Sequence, residues 1–499
     1  MPAFLNVRAW SGRIELSEKH QRLLQDLIET GKPVALIAFG NPYLARGLAV
    51  QPDVYVAAYG AGGAVQDAAA QALFGRSAFS GKLPVTIPDA YDYGAGRSQK
   101  QVALRHGLPE AVGMRGDSLA LVDSLMQASI DSNAFPGAAV AVGRGPATAL
   151  MKGYGYYTYD AARPVTPRSR FDLASLTKVI ATTTAAMQLY EAGRLALDDR
   201  VAGYLPRFAQ HGKGDVTIRQ LLTHSAGLPA FRLYAEMDFA NTEARGTREP
   251  LIDTLLAERP QYEPGTKSEY SDLGMVVMGL VIEEITGQSL AAYAEEHIFE
   301  PLGMEQTGYR PVAETDRDTA FVPTEREGFR GRLLQGEVHD PTAFLMGGVS
   351  GNAGVFSTAD DLATFAYMLT HEGQIYGEQF LEAETIATFT ARAEGLGEST
   401  RALGWDTKTV GGYSSAGSRF GPESFGHTGF TGTSLWIDPE QDLFAILLTN
   451  RVYPKRTEDP QIIQIRPKLA DRAYGALAGP PAPLLPGTAP PDAFAAEAP

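Results

Sequence analysis

The chain has 499 residues, 44% of them hydrophobic, and a formal net charge of −15. That length allows two or three domains with sizeable cores, and the acidic balance, with no basic patch, argues against nucleic acid as a partner. Cysteine is absent, which excludes disulfides, thiolate catalysis and cysteine-ligated metal, and no apolar run approaches the roughly 20 residues a membrane span needs.

The opening residues, "PAFLNVRAW" after Met1, lack the basic start and apolar stretch of a secretory signal. Residues 1–88 alternate between strand and helix patterns. "AFLNVRAW" reads as a strand, "EKHQRLLQDLIETG" as a helix closed by Gly31, and "KPVALIAFG" and "PDVYVAAYG" as short apolar strands of the buried parallel kind. "VQDAAAQALFG" reads as a helix ending at Gly75 and "KLPVTIP" as a last strand. This is an α/β pattern. Residues 89–115 show no clear period and read as a linker. Charge changes across this boundary: residues 1–110 hold 11 Lys/Arg and 9 Asp/Glu, a net of +2, which leaves −17 for the rest.

From about residue 116 a helix, "DSLALVDSLMQASIDS", precedes a hairpin pattern, "GAAVAVGRGPATALMKGYGYYT". Long helical stretches occupy about 175 to 310. "TSLWIDPEQDLFAILLTN" reads as two strands around an Asp-Pro turn. Strands at both ends with helices between predict one α+β domain over 116–478 whose termini share a sheet. The Pro/Ala-rich tail, 479–499, reads as disordered.

Chemistry concentrates at "DLASLTKVIA". Ser175 and Lys178 head an apolar helical run that Gly193 ends. Residues at i and i+3 share a helix face, so the hydroxyl and the amine point the same way. A buried lysine resists protonation, and a neutral amine beside a hydroxyl is a general base. Alone, Ser-x-x-Lys more often marks an ordinary exposed helix start. Two further motifs change that reading: "EPGTKSEYSDLGMVV" places Tyr270 and Asp272 before another apolar helix, and "FGHTGFTGTSLWI" places His427, Thr428 and Gly429 at a strand. Gly429 lets substrate lie against the strand edge, with the Phe430 N–H turned into the site.

With these residues on the page, the chain from about 116 to 452 resembles the serine β-lactamase and penicillin-binding family, in the branch of class C β-lactamases, DD-peptidases and family VIII carboxylesterases. "TIRQLLTHSAGLP", "PLGMEQTGY" and "GGVSGNAGVFSTADDLATF" add to the likeness. The resemblance implies an antiparallel sheet flanked by helices, with an all-helical subdomain. It also implies roles: Ser175 as the acylated nucleophile, Lys178 taking its proton, Tyr270 shuttling protons to the leaving group, and the N–H groups of Ser175 and Phe430 as oxyanion hole. His427 would sit beside Tyr270, with Asp272, His427, Thr428, Gly429 and Phe430 binding substrate. Asp272 departs from the family's Asn, and an ionised carboxylate cannot donate to a substrate carbonyl. It can instead pair with Lys178 and raise the lysine pKa. His427 stands where β-lactamases have lysine. Both departures favour ester or D-amino-acid-type amide hydrolysis over β-lactam turnover.

Residues 1–88 resemble the later part of the C-terminal α/β sandwich domain of family-3 glycoside hydrolases, on "GKPVALIAFGNPYL", "AYGAGGAVQDAAAQALFG" and "FSGKLPVTIP". The barrel that carries catalysis in that family has no counterpart here, so this module is expected to be a non-catalytic scaffold. The chain then reads as a serine hydrolase fused to the end of a glycosidase, a piece of a longer fusion for which a periplasmic location would suit peptidoglycan chemistry. The expected partners are small-molecule esters, β-lactams or peptidoglycan peptides, with no nucleic acid, no membrane span, and room for a homo-oligomer. The rival readings are a catalytically silent penicillin-binding-fold protein and a fragment of a bifunctional peptidoglycan-processing glycosidase.

Other motifs are declined. In "YGAGGAVQDA", Gly60 and Gly62 are present but Val65 stands where a third glycine belongs, so no dinucleotide cofactor is expected. Ser225 in "THSAG" lies outside a Gly-x-Ser-x-Gly elbow and reads as structural. His20, His106, His211, His297, His339 and His371 show no ligand spacing, and no metal is expected.

Overall fold

The computed structural model describes residues 2–4, 16–101, 104–232, 234, 248–310, 320–397, 399–409, 411–457 and 461–479. The chain divides into two compact units, Met1–Arg105 and His106–Pro499.

In the first unit a three-stranded parallel sheet runs in the order β1 (Pro2–Phe4), β2 (Ala35–Phe39), β3 (Val54–Ala57). Helix α1 (Glu18–Glu29) starts at Ser17, whose side chain caps His20 N–H, and α2 (Gly63–Leu73) follows the third strand. One side of the sheet buries Leu24, Val34, Leu36, Ala38 and Leu44, the other Ile37, Phe39 and Ala69. Asp53 Oδ2 accepts the Val34 N–H at 2.7 Å and aligns the loop with the strand. The expected strand over "KLPVTIP" is not formed: residues 82–88 make local pairs, Leu83 N–H to Ala95 and an Ile87–Tyr91 bridge. Pro84 and Pro88 explain this, since each removes a donor that a sheet ladder requires. Of the expected strand at "AFLNVRAW", residues 5–10 lie outside the described residues, as do 480–499 of the tail.

The second unit is built on an antiparallel sheet. Its central strands are β4 (Gly137–Arg144), β5 (Ala147–Gly155), β6 (Asp406–Thr407), β7 (Phe425–Thr428), β8 (Ser434–Asp438) and β9 (Leu443–Thr449), in the spatial order β6-β7-β8-β9-β4-β5. The β9–β4 pair joins the two ends of the domain through seven residue pairs, Thr449 opposite Ala138 to Leu443 opposite Arg144. Strand β4 is buried along its whole length, which explains its unbroken run of small and branched apolar residues. Helix α3 (Gly116–Asp131) and the C-terminal helix Gln461–Gly475 cover one face, with Val122, Leu125, Met126, Val140, Leu447, Ile465 and Leu469 in their shared core. Helix Ala359–Thr370 packs on β9 and β4. The other helices include the apolar Asp272–Thr286, buried from Leu273 through Ile282. No single helix among the described residues is long and apolar enough to cross a membrane.

Candidate active site

The Ser175 segment is not the single helix its sequence predicts. Ala174–Leu176 is a 3-10 turn, Lys178–Thr183 a π-helical turn, and the α-helix begins only at Thr184. The widened turn is wholly buried, and its hydroxyls hold it in place: Thr177 Oγ1 accepts from Val355 N–H at 3.1 Å and Thr182 Oγ1 donates to the Gly351 carbonyl at 2.8 Å. Single π-turns inside helices are frequent at functional sites. Ala174 adopts φ +47°, a left-handed conformation uncommon for a residue with a side chain. Asp172 supports the bend. Its Oδ1 accepts the Ala174 N–H at 2.8 Å and its Oδ2 the His339 N–H at 2.6 Å.

This turn presents Ser175 and Lys178 together. Lys178 Nζ donates to Ser175 Oγ and to the Asn352 carbonyl, both at 2.9 Å, and makes an ion pair with Asp272 Oδ1 at 2.7 Å. Burial pulls the fully enclosed ammonium toward its neutral form, but Asp272 and then Tyr270 outweigh it, so the Lys178 pKa stands above the ordinary lysine value. The reading of a lysine made neutral by burial is therefore corrected: the Asp272 carboxylate holds it as the cation. Asp272 is placed by a capped helix start, with Ser271 Oγ accepting from Gly274 N–H at 3.2 Å and the Asp272 N–H donating to the Ala230 carbonyl at 3.0 Å. A carboxylate in the first turn also suits the helix dipole.

Tyr270 completes the cluster, its hydroxyl donating to Ser175 Oγ at 2.8 Å. Its ring is surrounded. His224 lies 4.8 Å away on centroids and His427 6.0 Å; Lys178 Nζ stands 5.2 Å and Arg401 Cζ 5.0 Å from the ring centre. Burial raises the phenol pKa although Lys178 opposes the rise. Both imidazoles are held well below their usual pKa, by burial first and then by the neighbouring cations Arg401 and Lys178. Their tautomers follow from their partners. His427 Nδ1 lies 2.8 Å from the Thr428 carbonyl and must donate, which leaves a bare Nε2. His224 Nδ1 accepts from Ser271 N–H at 3.1 Å, so its proton is on Nε2. Both Nε2 atoms are buried without a hydrogen-bond partner among the described residues.

Strand β7 delivers His427 and Thr428, and Phe430 follows at its end. Thr431 Oγ1 donates to the Asp172 carbonyl at 2.8 Å and Thr433 Oγ1 to the Leu173 carbonyl at 2.9 Å, tying this turn to the bend before Ser175. A Cβ on Gly429 would lie 2.0 Å from Thr433 Oγ1 and 2.4 Å from the Leu173 carbonyl oxygen. The glycine is thus required by the approach of the serine turn itself, which differs from the expected role of making room for substrate. The Phe430 N–H has no hydrogen-bond acceptor among the described residues.

These motifs sit in a chain whose residues 122–468 match the family model described as "Beta-lactamase", while residues 11–115 match the "Glycosyl hydrolase family 3 C-terminal domain". The first match covers well over half of the chain. The chain belongs to the beta-lactamase family. Among curated relatives, an N-acetylmuramyl-L-alanine amidase of Bacillus subtilis is 34% identical over 359 residues, 66% of this chain and 80% of that protein. An Escherichia coli protein provisionally named a D-alanyl-D-alanine carboxypeptidase is 32% identical over 391 residues, 72% of this chain and 88% of its own. Among solved structures, EstCE1, described as a hydrolase with promiscuous acyltransferase activity, superposes with a TM-score of 0.58 at 24% identity, covering 72% of this chain and 99% of its own. The family is one of serine hydrolases, and this member is an enzyme of that class.

Within this beta-lactamase-family unit, sequence reasoning left out Asp172, His224, Asn352 and Arg401. His224 was visible in "THSAG" but was set aside with Ser225, which is buried and hydrogen-bonded to Thr223 Oγ1 at 2.9 Å. Arg401 pairs with Asp406 and reaches Tyr270 only through the folded chain, so no local pattern marks it. Among the described residues no group of three or more His, Asp or Glu side chains is placed to hold a metal ion.

Proposed function

We propose that the enzyme hydrolyses esters or D-amino-acid-type amides through an acyl-enzyme on Ser175. The observation that carries this reading is the convergence on one oxygen: Ser175 Oγ meets both Lys178 Nζ and the Tyr270 hydroxyl within 2.9 Å. As Ser175 Oγ attacks the substrate carbonyl, its proton passes to Lys178, which has handed its own to Asp272. The Tyr270 proton goes to the leaving oxygen or nitrogen, and Lys178 restores it. The Ser175 hydrogen is thus exchanged for an acyl group, and the leaving group departs with one proton. Water then takes the leaving group's place and the steps run in reverse, with Tyr270 drawing its proton. The bare Nε2 of His427 is a buried acceptor beside Tyr270, suited to a donor on the leaving group. The N–H groups of Ser175 and Phe430 would stabilise the oxyanion.

Esters rank above β-lactams in this reading. Asp272 is committed to Lys178, whichever of the two holds the shared proton, and so offers no free donor to a β-lactam amide carbonyl, and a neutral His427 brings no charge to its carboxylate. The names of the amidase and carboxypeptidase relatives support a peptidoglycan-derived peptide as the biological substrate. The test is mass spectrometry of the intact protein after a fluorophosphonate and, separately, a penicillin, alongside turnover of p-nitrophenyl butyrate and nitrocefin. A fluorophosphonate adduct on Ser175 and faster ester than nitrocefin turnover are expected. An unlabelled Ser175 in protein that still hydrolyses the ester would refute the assignment, and faster nitrocefin turnover would reverse the ranking.

A further inference from the structure

Beside the oxyanion turn stands a cation without a counter-charge. Phe430 is 46% exposed, and three groups gather on its ring. His339 stacks at 5.6 Å between centroids, Arg451 Cζ lies 4.9 Å from the ring centre and Arg456 Cζ 5.1 Å. Two of the three are satisfied by one carboxylate: His339 Nε2 and Arg456 Nε each meet Glu325 Oε2 at 2.8 Å. Against burial, which favours the acid, these partners hold Glu325 down to about 2.

Arg451 has no such partner. Among the described residues no carboxylate pairs with its guanidinium, and its Nε is buried without an acceptor. Burial, and then repulsion from Arg456, lower its pKa. A third guanidinium, Arg466, lies close by and is spent on structure, donating to the Gly429 carbonyl at 2.6 Å and the Thr433 carbonyl at 2.9 Å. Buried donors are normally matched, and clustered like charges repel. The face of the Phe430 ring recovers part of that cost as cation–π attraction. A chain of net charge −15 has carboxylates in plenty, yet none among the described residues is set against Arg451, which lies on the ring of the residue proposed above to supply an oxyanion N–H.

We propose that Arg451, assisted by Arg456, receives a carboxylate of the substrate, so that the enzyme selects acidic esters or amides over neutral ones. This rests on the serine hydrolase reading above and narrows its substrate class. A guanidinium fork matches a carboxylate bidentately, and this one stands 4.9 Å from the ring of Phe430, the residue that directly follows Gly429 of the third motif. The carboxylate can belong to the acyl group or to the leaving group, and the substrates chosen below separate the two.

The test uses the full chain and two matched pairs of substrates. In one pair the acid is on the acyl side, p-nitrophenyl hydrogen glutarate against p-nitrophenyl butyrate. In the other it is on the leaving group, the 3-carboxyphenyl against the phenyl ester of one neutral acid. In at least one pair the wild type should favour the acidic member, less so at high salt. Arg451→Met keeps the stem that packs on Gly432 but removes the charge. It should lower the acidic-to-neutral ratio of kcat/KM about tenfold or more, the scale of one charge-assisted contact, and Arg456→Met by less. Arg451→Lys, which keeps charge but not the fork, should fall between, and it decides the matter should Arg451→Met fail to fold. Ratios unchanged in both pairs, or both members of each pair falling equally, would overturn the proposal and leave Arg451 a support for the turn. Hydrolysis of the neutral esters and labelling of Ser175 report on the serine hydrolase reading separately, whichever way the ratios move.

Discussion

Lys178 and Arg451 are two cations beside the same catalytic turn, and the protein treats them in opposite ways. Lys178 is fully enclosed, hydrogen-bonded to Ser175 and Asn352 and ion-paired with Asp272. Arg451 is partly exposed, pairs with no carboxylate among the described residues and leaves its Nε without an acceptor. An ammonium withdrawn from water needs such partners to stay charged, and once it has them its position no longer depends on what enters the site. A guanidinium left unmatched at the rim has its position and energy open to a ligand. The first arrangement suits chemistry common to all substrates, the second suits choice among them. Substitutions on the Lys178 side should therefore lower every rate together, and those on the Arg451 side should change ratios.

The sharpest way to break this division is at Ser175 itself. Ser175→Ala should cost on the order of 10³-fold or more in ester turnover, since no acyl-enzyme can form. Lys178→Met and Tyr270→Phe come next, each with losses of roughly 10²–10⁴-fold, the usual worth of a positioned acid or base. All three should act equally on acidic and neutral esters. If Lys178→Met changed the acidic-to-neutral ratio as strongly as Arg451→Met does, measured as kcat/KM on the paired esters, the distinction between the two cations would collapse.

Asp272→Asn sharpens the comparison by making Lys178 resemble Arg451. The carboxylate is what keeps the buried ammonium above its ordinary pKa, so without it burial wins and the pKa falls. The sign follows: the neutral amine forms at lower pH, and the limb of the rate–pH profile that reports Lys178 should move toward acid by about one unit or more. The variant should also lose stability at neutral pH, where an unpaired buried charge or its neutralisation must be borne. Ester turnover from pH 5 to 10 with a thermal melt at each point measures both, and an unmoved limb would show that Asp272 does not set the lysine's charge.

A smaller effect concerns the two imidazoles around Tyr270. His224 and His427 are held well below the usual histidine range, so the unfolded chain binds protons at a pH where the folded one does not. Stability from these groups is complete above about pH 6.5, the value of a free imidazole, and is progressively lost as pH falls below it. Asp361 works the other way, being raised to about 6 by burial, and so gains stability on acidification between its unfolded and folded values. In an Asp361→Asn background, melts at pH 7 and pH 5 should show the imidazole contribution with one opposing carboxyl removed, and His427→Asn should reduce the slope.

The residues that were legible in the sequence are those whose partners are close along the chain. Ser175 and Lys178 are one helical turn apart, and Tyr270-Ser-Asp272 and His427-Thr-Gly429 each lie within three residues, so spacing alone placed each motif on one face or one strand. The joining of β4 to β9 was legible too, because strands at both ends of an α+β pattern have only each other to pair with. What escaped depends on contacts across long separations. The Lys178–Asp272 pair was seen as an option, but its strength against burial depends on how completely the lysine is enclosed. Arg401 reaches the site from a loop with no motif of its own, and Asn352 lies in a stretch that marks the family but gives no sign that its backbone carbonyl meets Lys178. The π-turn after Ser175 is held by Val355 and Gly351, residues some 170 positions away in a chain whose local pattern is plain helix. The missing strand at Lys82–Pro88 was a misreading of apolar alternation where two prolines should have weighed more.

The smallest expected effect is at Ser225, and it tests whether the cluster was correctly located. Ser225 is a buried serine on the loop that carries His224, within the same neighbourhood as Tyr270. Its surroundings are those of a structural hydroxyl. Ser225 Oγ meets Thr223 Oγ1 at 2.9 Å, its N–H donates to the Gln220 carbonyl at 2.8 Å, and its own carbonyl accepts from Gly265 N–H at 2.8 Å. The loop closes tightly, since a Cβ on Gly227 would lie 2.5 Å from the Tyr262 carbonyl oxygen. Removing the Ser225 hydroxyl deletes one hydrogen bond and leaves Thr223 able to donate to the Arg219 carbonyl as it does now. Ser225→Ala should therefore cost about 0.5–1.5 kcal/mol of stability and change ester turnover by no more than about threefold, through a slight shift of His224 against Tyr270. An inactive Ser225→Ala beside a fully active Ser175→Ala would move the nucleophile to the His224 loop, and with it the Lys178 side of the comparison.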